Sequence, residues 1–359
     1  MKAYTIEKDG TAKGNEGRTI FFSFQRFKDE ICKKGHCFVC GASPNKSFNN
    51  EHIFPDWILR HCSIHGEKLT LPNGNLVGYS TYKIPCCKAC NSLLADIYEV
   101  PISKAVCGGY DSLLGYVENG GFGRLCAWLA LIFVKVHLRD FRNKVSLDNR
   151  DNKGMIGDEY ELHELHHLHA LARATTANVE VDEKVFGTLV ILQVGSSSMG
   201  SAFDYADDLR GRGLLLQVQD IALIHVLDDC GATAGMLSEQ RKTWPCEISK
   251  IQLREIYARH LAANIHIKET PTFRTEFVGP KGRPRIAVKL PKLDIHDNEP
   301  SVFGSIFSNV LRNSVKNITL DGKTGDAALE AIAAGNVSFL IDENGGVKNP
   351  SEASETSIK

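Results

Sequence analysis

The spacing of hydrophobic residues along the chain predicts a mixture of helices and strands. Apolar side chains cover much of the circumference of a helix from Gly123 to Arg142, which predicts a buried core helix. Shorter apolar runs further along predict three strands and three more helices. The predicted strands are 188–194, 213–218 and 221–227, and the predicted helices are 248–262, 301–315 and 327–334. Segregated helices and strands of this kind favour the α+β class.

Four cysteines in two pairs bracket a short segment near the N-terminus. The pairs are Cys37-Phe-Val-Cys40 and Cys87-Lys-Ala-Cys90. A Cys-x-x-Cys turn presents two sulfurs to one face, and two such turns complete a tetrahedral zinc site with no open position. Such a site is structural, because the zinc ties together a segment that is too short to bury a large core. Cys86 is an alternative partner for Cys90, although the two-residue spacing favours Cys87.

The segment between the cysteine pairs contains Glu51-His52-Ile53-Phe54-Pro55, and Asn91 directly follows the second pair. This order of residues resembles the HNH endonucleases. The resemblance consists of a CxxC pair, an acidic residue and His before an apolar residue and Pro, and CxxCN at the start of a helix. The resemblance spans about residues 32–99. It implies a zinc-stabilised ββα-metal finger, also called a His-Me finger, and an enzyme that leaves 5′-phosphate and 3′-hydroxyl ends.

The resemblance assigns roles to three residues of this segment. His52 would be the general base that activates water, and Glu51 and Asn91 would be ligands of one catalytic divalent ion, Mg²⁺ or Mn²⁺. These residue types suit phosphodiester hydrolysis, since an imidazole accepts a proton near neutral pH. A hard cation held by carboxylate and amide oxygens stabilises the developing charge as a Lewis acid.

The chain departs from the family pattern at the middle asparagine of the HNH name. Thr81-Tyr82-Lys83 occupies the usual place of that asparagine, and Asn75 is the nearest candidate. Tyr82 is the alternative residue to brace the loop that carries the base. Glu99, about two helical turns after Asn91, either supports the site or is a solvated helix carboxylate, and the second interpretation is preferred. Residues 61–82 form a longer segment than in compact members, which predicts an inserted hairpin.

A second motif competes with the nuclease interpretation. His163-Glu164-Leu165-His166-His167 fits HExxH, in which two histidines one helical turn apart bind zinc and the glutamate acts as a base. Residues 161–169 are so rich in His and Glu that a chance match is easy. A polar helical segment is therefore the preferred interpretation, and a zinc metalloprotease is the third functional alternative.

Length and charge define the domain organisation that we expect. The chain has 359 residues and a net charge of −1, which allows two or more domains. We expect a nuclease domain at 1–105, an α+β recognition, oligomerisation or regulatory domain at 106–343 and a polar tail at 344–359. Residues 1–105 carry 14 Lys/Arg and 10 Asp/Glu, a balance of +4, and the remainder carries −5. Lys83 and Lys88 are candidate nucleic-acid contacts.

Cysteine usage and the apolar runs indicate a compartment. Eleven cysteines, an odd count, fit a reducing cytoplasm better than a disulfide framework. The early residues are polar, and the apolar stretch 125–136 is shorter than the roughly 20 residues that cross a bilayer. We therefore expect a soluble cytoplasmic protein without a membrane partner.

The sequence thus predicts a metal-dependent HNH endonuclease with structural Zn²⁺, and DNA is favoured over RNA as its substrate. Stand-alone bacterial HNH proteins suggest defence against phage or mobile DNA as the setting. The alternative from another class is a catalytically weak zinc module that binds nucleic acid or a protein partner, and the missing middle asparagine motivates it. A homo-oligomer or a regulatory partner, bound through the C-terminal domain, is also compatible with the sequence.

Overall fold

The computed structural model gives a mixed α+β chain, as the sequence predicts. The described residues are 4–15, 17–148, 150, 153–195, 202–277, 279, 282–312, 319–320, 322–342 and 346–348. Most of the predicted polar tail, 344–359, therefore lies outside the described residues.

The strands form one five-stranded sheet, two three-stranded sheets and three two-stranded ribbons among the described residues. In chain order they are β1 (Tyr4–Ile6), β2 (Ala12–Gly14), β3 (Thr19–Phe21), β4 (Glu51–His52), β5 (Lys68–Thr70), β6 (Leu76–Gly78), β7 (Lys83–Ile84), β8 (Glu180–Val181), β9 (Thr188–Val194), β10 (Phe203–Asp208), β11 (Gly213–Val218), β12 (Ile221–Val226), β13 (Glu247–Ile248), β14 (Thr272–Phe277), β15 (Pro284–Lys289), β16 (Thr319–Leu320) and β17 (Lys323–Thr324).

The helices range from single turns to 19 residues. In chain order they are α1 (Phe24–Arg26), α2 (Asp56–His61), α3 (Lys88–Leu94), α4 (Val100–Cys107), α5 (Tyr110–Tyr116), α6 (Phe122–Asp140), α7 (Leu162–Arg173), α8 (Ala232–Met236), α9 (Ser238–Arg241), α10 (Lys250–Ile265), α11 (Pro300–Leu311) and α12 (Asp326–Ala333). A π-helical turn, Ala95–Glu99, joins α3 to α4 without a break.

The chain divides into two compact units. The first contains Met1–Val185 and Phe273–Val288, and the second contains Phe186–Thr272 and Lys289–Lys359. The boundary that we expected after residue 105 falls inside α4 instead. The first unit continues past it because α6 and α7 bury side chains that contact the N-terminal segment.

Helix α6 is the core of the first unit. Its side chains from Leu125 to Leu138 are buried, as the apolar pattern predicts. The helical stretch Tyr110–Asp140 is long and apolar enough to cross a bilayer, but 83% of its most apolar window is buried inside the protein. A polar residue on this helix, Lys135, is 1% exposed. Burial of that ammonium requires a partner from another element.

The second unit is built on a five-stranded sheet in the order β10-β11-β12-β9-β13. Strands β11 and β12 are buried along their whole length and pair through a two-residue turn, in which Gln219 has a φ of 56°. Helices α10, α11 and α12 contribute to the core that covers β9 and β12. Ser249 begins α10 with a capping box, since its hydroxyl accepts from the N–H of Gln252.

The predicted strands at 188–194, 213–218 and 221–227 are confirmed, as are the predicted helices 248–262 and 327–334 to within a few residues of their ends. The helix predicted at 301–315 is confirmed over its described part, and its last residues, 313–315, lie outside the described residues. The hairpin predicted within 61–82 is also confirmed, since β5 pairs antiparallel with β6. Strand β10 was not predicted from the sequence. Its Asp207 and Asp208 pair with Leu214 and Gly213 of β11, because backbone pairing in this edge strand does not need apolar side chains.

We expect a fragment of residues 1–105 to remain unfolded even with zinc. It lacks the buried cation of α6 and the helix α7, both of which contact the cysteine-bracketed segment. Thermal melts followed by circular dichroism would compare the fragment with the full chain. A cooperative transition in the isolated fragment would support the boundary that the sequence predicted.

Candidate functional site

The four predicted zinc ligands meet in the structure. The sulfurs of Cys37, Cys40, Cys87 and Cys90 all lie within 4.8 Å of one another. The Sγ atoms of Cys37 and Cys87 are 3.9 Å apart, and those of Cys40 and Cys87 are 3.8 Å apart. A tetrahedron with metal–sulfur bonds of about 2.3 Å has sulfur–sulfur edges of about 3.8 Å. The cluster therefore fits a tetrahedral metal ion such as Zn²⁺.

The surroundings of Cys37 favour the thiolate form of its side chain. Hydrogen bonds from Cys40 and then Cys86 hold the pKa of the Cys37 thiol well below its ordinary value. The backbone N–H of Cys87 also donates to Cys37 Sγ, at 3.5 Å. Cys86 Sγ lies 4.0 Å from Cys37 Sγ, but Cys86 is outside the group of four cysteines whose sulfurs all lie within 4.8 Å of one another. The spacing argument for Cys87 is thus confirmed.

The predicted base lies on a two-stranded ribbon that leads into a helix. Strand β4 pairs antiparallel with β7, so that Glu51 faces Ile84 and His52 faces Lys83. Helix α3 begins at Lys88, directly after the ribbon. The second cysteine pair spans this junction, and the cluster therefore fixes the ribbon relative to the helix.

The His52 imidazole is partly buried on this ribbon and contacts the Ser80 backbone through a hydrogen bond. Burial, and then the positive charge of Lys83, lower the pKa of His52 below its ordinary value. Asp56 and Glu51 oppose this effect more weakly. The imidazole is consequently neutral at physiological pH, the state in which it can accept a proton.

Glu51 is buried and has a cationic partner that was not predicted from the sequence. Its side chain is 6% exposed, and its Oε1 lies 3.1 Å from Nζ of Lys135, which is 1% exposed. The same ammonium donates to the backbone carbonyl of His52 at 2.7 Å. Lys135 therefore fixes both residues of strand β4. A lysine among apolar positions of a core helix was the one signal that could have revealed it.

Glu99 is also part of this buried cluster. Burial, and then the negative charge of Glu51, raise the pKa of Glu99 to about 8. A hydrogen bond to Glu51 acts in the same direction, and Lys135 opposes it. The preferred interpretation of Glu99 as a solvated helix carboxylate was wrong. Glu99 ends the π-helical turn Ala95–Glu99, where it is partly buried and hydrogen-bonded to Glu51.

Asn91 occupies the first turn of α3, as expected. Its Nδ2 donates to Asn49 Oδ1 and to the Asn50 carbonyl, both at 3.1 Å, so the amide holds the residues that precede β4. Neither of these hydrogen bonds joins it to Glu51. Asn75 is exposed in the β5–β6 turn, where its N–H bonds Asn73 Oδ1.

Tyr82 is buried and braces the ribbon. Its hydroxyl donates to Asp140 Oδ1 at 3.0 Å, and its carbonyl accepts from the N–H of Ile53, also at 3.0 Å. Tyr82 therefore connects the ribbon to helix α6.

The two lysines predicted to contact nucleic acid lie on the ribbon and on the helix that follows it. Lys83 is partly exposed opposite His52, and Lys88 is exposed at the start of α3.

The HExxH histidines do not form a metal site. His163 stacks on Phe24 with ring centroids 3.8 Å apart, and His167 stacks on Phe273 at 4.0 Å. Within the described part of the chain, the four cysteines are the only group of three or more His, Cys, Asp or Glu side chains close enough to share a metal. The protease alternative is therefore unsupported, because both imidazoles pack against aromatic rings.

Comparison with known proteins gives no further assignment. No protein-family model, no curated protein and no solved structure matches the chain.

Replacing Lys135 with Met should destabilise the protein by about 3–5 kcal/mol, because Glu51 is left as an uncompensated buried charge. Urea unfolding followed by circular dichroism would measure the loss. The exposed Lys104 provides the matched control, and Lys104→Met should change stability by less than about 0.5 kcal/mol. The double variant K135M/E51Q should lose less stability than the sum of the losses measured for the two single variants. Simple additivity would contradict the pairing.

The stability of the wild type should fall as pH rises from 4.5 to about 8, the interval between the ordinary and the folded pKa of Glu99. In this interval the folded protein keeps a proton that the unfolded chain has lost, so a higher pH favours unfolding. Glu99→Gln should remove this part of the pH dependence, and Glu118→Gln, which alters an exposed carboxylate, should retain it. The free energy of unfolding would be measured across the interval without added Mg²⁺. Parallel curves for wild type and Glu99→Gln would contradict the assignment.

Proposed function

We propose that the first unit is a metal-dependent HNH-type endonuclease that hydrolyses phosphodiester bonds, with DNA favoured as the substrate. The observation that carries the proposal is the β4–β7 ribbon, which leads directly into α3 and is held there by the four-cysteine cluster. The order strand, strand, helix is the order that a ββα finger requires. His52 lies on the first strand, where the family places its general base.

His52 would act on the attacking water. Its lowered pKa keeps the imidazole neutral, so that it can take a proton as the water oxygen bonds to phosphorus. The bond from phosphorus to the 3′-oxygen then breaks, the released oxygen gains a proton, and the products carry 5′-phosphate and 3′-hydroxyl ends. Lys135 and the Ser80 backbone hold the strand and the ring during this step.

Glu51 and Asn91 would hold one Mg²⁺ or Mn²⁺ ion, which would act as a Lewis acid on the phosphate oxygens. The donor set suits a hard cation, because Glu51 supplies carboxylate oxygen, Asn91 supplies amide oxygen, and Glu99 places a second carboxyl beside Glu51. Lys83 and Lys88 would contact the substrate backbone.

The setting of this activity is a further part of the proposal. Resemblance to stand-alone bacterial HNH proteins motivates a role in defence against phage or mobile DNA. The second unit would then supply target recognition, oligomerisation or regulation.

One observation favours the alternative of a zinc module that binds nucleic acid or a protein without cutting it. Lys135 already neutralises Glu51, so a divalent ion would have to compete with an ammonium 3.1 Å from the carboxylate. The binding alternative therefore predicts retention of nucleic acid without cleavage by any divalent ion.

Replacing His52 with Ala should lower the rate of plasmid cleavage in Mg²⁺ or Mn²⁺ by about a hundredfold to ten-thousandfold, the typical contribution of a general base. Gel analysis of supercoiled plasmid would measure it, after zinc content and circular dichroism show that the variant is folded. His163→Ala is the matched control, because His163 stacks on Phe24, and it should cut at the wild-type rate. Equal cutting by wild type and His52→Ala would refute the base assignment. Binding without cutting by the wild type would favour the zinc-module alternative.

A further inference from the structure

Helix α7 carries two buried polar side chains that the proposed reaction does not use. His169 and Arg173 lie one helical turn apart, and each is 1% exposed. Burying a guanidinium costs several kcal/mol unless it is paired with charge or with hydrogen-bond acceptors. The surroundings of Arg173 must therefore include groups that compensate for its charge.

Both side chains hold the first cysteine turn. His169 Nε2 lies 2.6 Å from the Phe38 carbonyl oxygen, so this nitrogen carries the ring proton and donates it. Arg173 Nε donates to the Val39 carbonyl at 2.7 Å. Phe38 and Val39 are the two residues between Cys37 and Cys40. Helix α7 thus fixes the peptide groups of the turn that presents both sulfurs.

A second set of contacts connects Arg173 to strand β3, which precedes the first cysteine turn. Arg173 Nη2 donates to the Thr19 carbonyl at 2.6 Å, and Thr19 Oγ1 donates to the Cys40 carbonyl at 3.2 Å. The guanidinium carbon also lies 4.5 Å above the ring centroid of Phe22. These contacts fix the orientation of the guanidinium.

The remaining nitrogen of the Arg173 guanidinium, Nη1, is buried and unpaired among the residues that the structure describes. Arg173 shares a cavity of about 440 Å³ with Cys40, Cys87 and Cys90. Burial lowers the pKa of Arg173 to about 10, and the negative charges of Cys37, Cys90 and Cys40 oppose this effect. The guanidinium therefore lies within the electrostatic field of the sulfur cluster.

A nearby cation stabilises a metal centre with four thiolates. Zn²⁺ with four cysteine thiolates has a formal charge of minus two, which is costly inside a protein. Backbone N–H groups supply partial positive charge only, as Cys87 does to Cys37. Arg173 is a full positive charge that is held beside the cluster by its contacts with Val39, Thr19 and Phe22.

We propose that Arg173 is a positioning residue for the metal centre, whose guanidinium neutralises part of the tetrathiolate charge. The inference rests on the zinc component of the proposed function and is independent of the nuclease component. The His-rich helix α7, whose sequence fits the HExxH motif, would then support the four-cysteine site. Outer-shell partners of this kind typically contribute a factor of ten to a hundred in metal affinity.

Zinc affinity measured by competition with a chelator tests the proposal. Arg173→Met should weaken zinc binding by about ten- to hundredfold, and Arg173→Lys, which keeps the charge, should recover part of the loss. Arg259→Met is the matched control, because Arg259 also lies over an aromatic ring, Phe303 at 4.8 Å, but belongs to the second unit. It should bind zinc like the wild type. In Co²⁺-loaded protein, the thiolate-to-cobalt charge-transfer band should shift in Arg173→Met and stay unchanged in Arg259→Met.

Two outcomes would overturn the proposal. Wild-type zinc affinity in a folded Arg173→Met variant would show that the residue supports the fold only. Equal losses in Arg173→Met and Arg173→Lys would show that charge is not the cause. Neither comparison measures plasmid cleavage. The zinc-affinity result could therefore be interpreted even if the nuclease proposal failed.

A measurement on the wild type keeps the proposal testable if Arg173→Met does not fold. In protein labelled with ¹⁵N-arginine, exchanging Zn²⁺ for Cd²⁺ should shift the buried guanidinium signal that is assigned through Arg173→Lys. The larger ion moves the sulfurs while the fold is kept. The signal of Arg259 should not move. An Arg173 guanidinium signal that does not respond to the metal exchange would refute the placement of this charge beside the metal centre.

Discussion

Four sulfur atoms from two distant turns have to meet at one point, and the first unit is organised around that requirement. The turns are separated by the ribbon, helix α2 and the β5–β6 hairpin, and their sulfurs approach to 3.8 and 3.9 Å. A metal bound there would close the loop of chain between Cys40 and Cys87. The free energy of metal binding would then contribute directly to the stability of the ribbon that carries His52.

Two core helices complete this arrangement with buried cations. Helix α6 places Lys135 against Glu51 and the His52 carbonyl, and α7 places Arg173 against the turn that contains Val39. Buried charges add little net stability, because the cost of desolvation offsets most of the attraction. Their effect is on geometry, since each cation satisfies acceptors that would otherwise be unpaired inside the protein. Both cations hold backbone carbonyls next to residues with proposed chemical roles.

The electrostatics of the ribbon separate the roles of its titratable groups. Burial keeps His52 neutral, and the same burial, with Glu51 nearby, favours the protonated form of Glu99. Opposite shifts in neighbouring groups are common where acid and base chemistry takes place, although structural clusters also produce them. The Lys135–Glu51 pair fits either interpretation. The nuclease and the zinc-module proposals therefore differ in whether a divalent ion can compete with that ammonium.

The sequence by itself determined the features that depend on local spacing. Paired CxxC turns identified four ligands that meet in space, and alternating or continuous apolar runs located β9, β11, β12, α6 and α10. Each of these inferences uses residues within a few positions of one another, where the geometry of helix, strand or turn decides the outcome.

Only the tertiary structure decided which polar side chains are buried and which partners they contact. Lys135 lies 84 positions from Glu51, and Arg173 lies 134 positions from Val39, so no local pattern could connect them. The unit boundary moved past residue 105 for the same reason, because α6 and α7 supply these distant partners. The HExxH spacing is present in α7, but the His163 ring stacks on Phe24 and the His167 ring stacks on Phe273. Sequence spacing does not determine the direction of a side chain, whereas tertiary packing does.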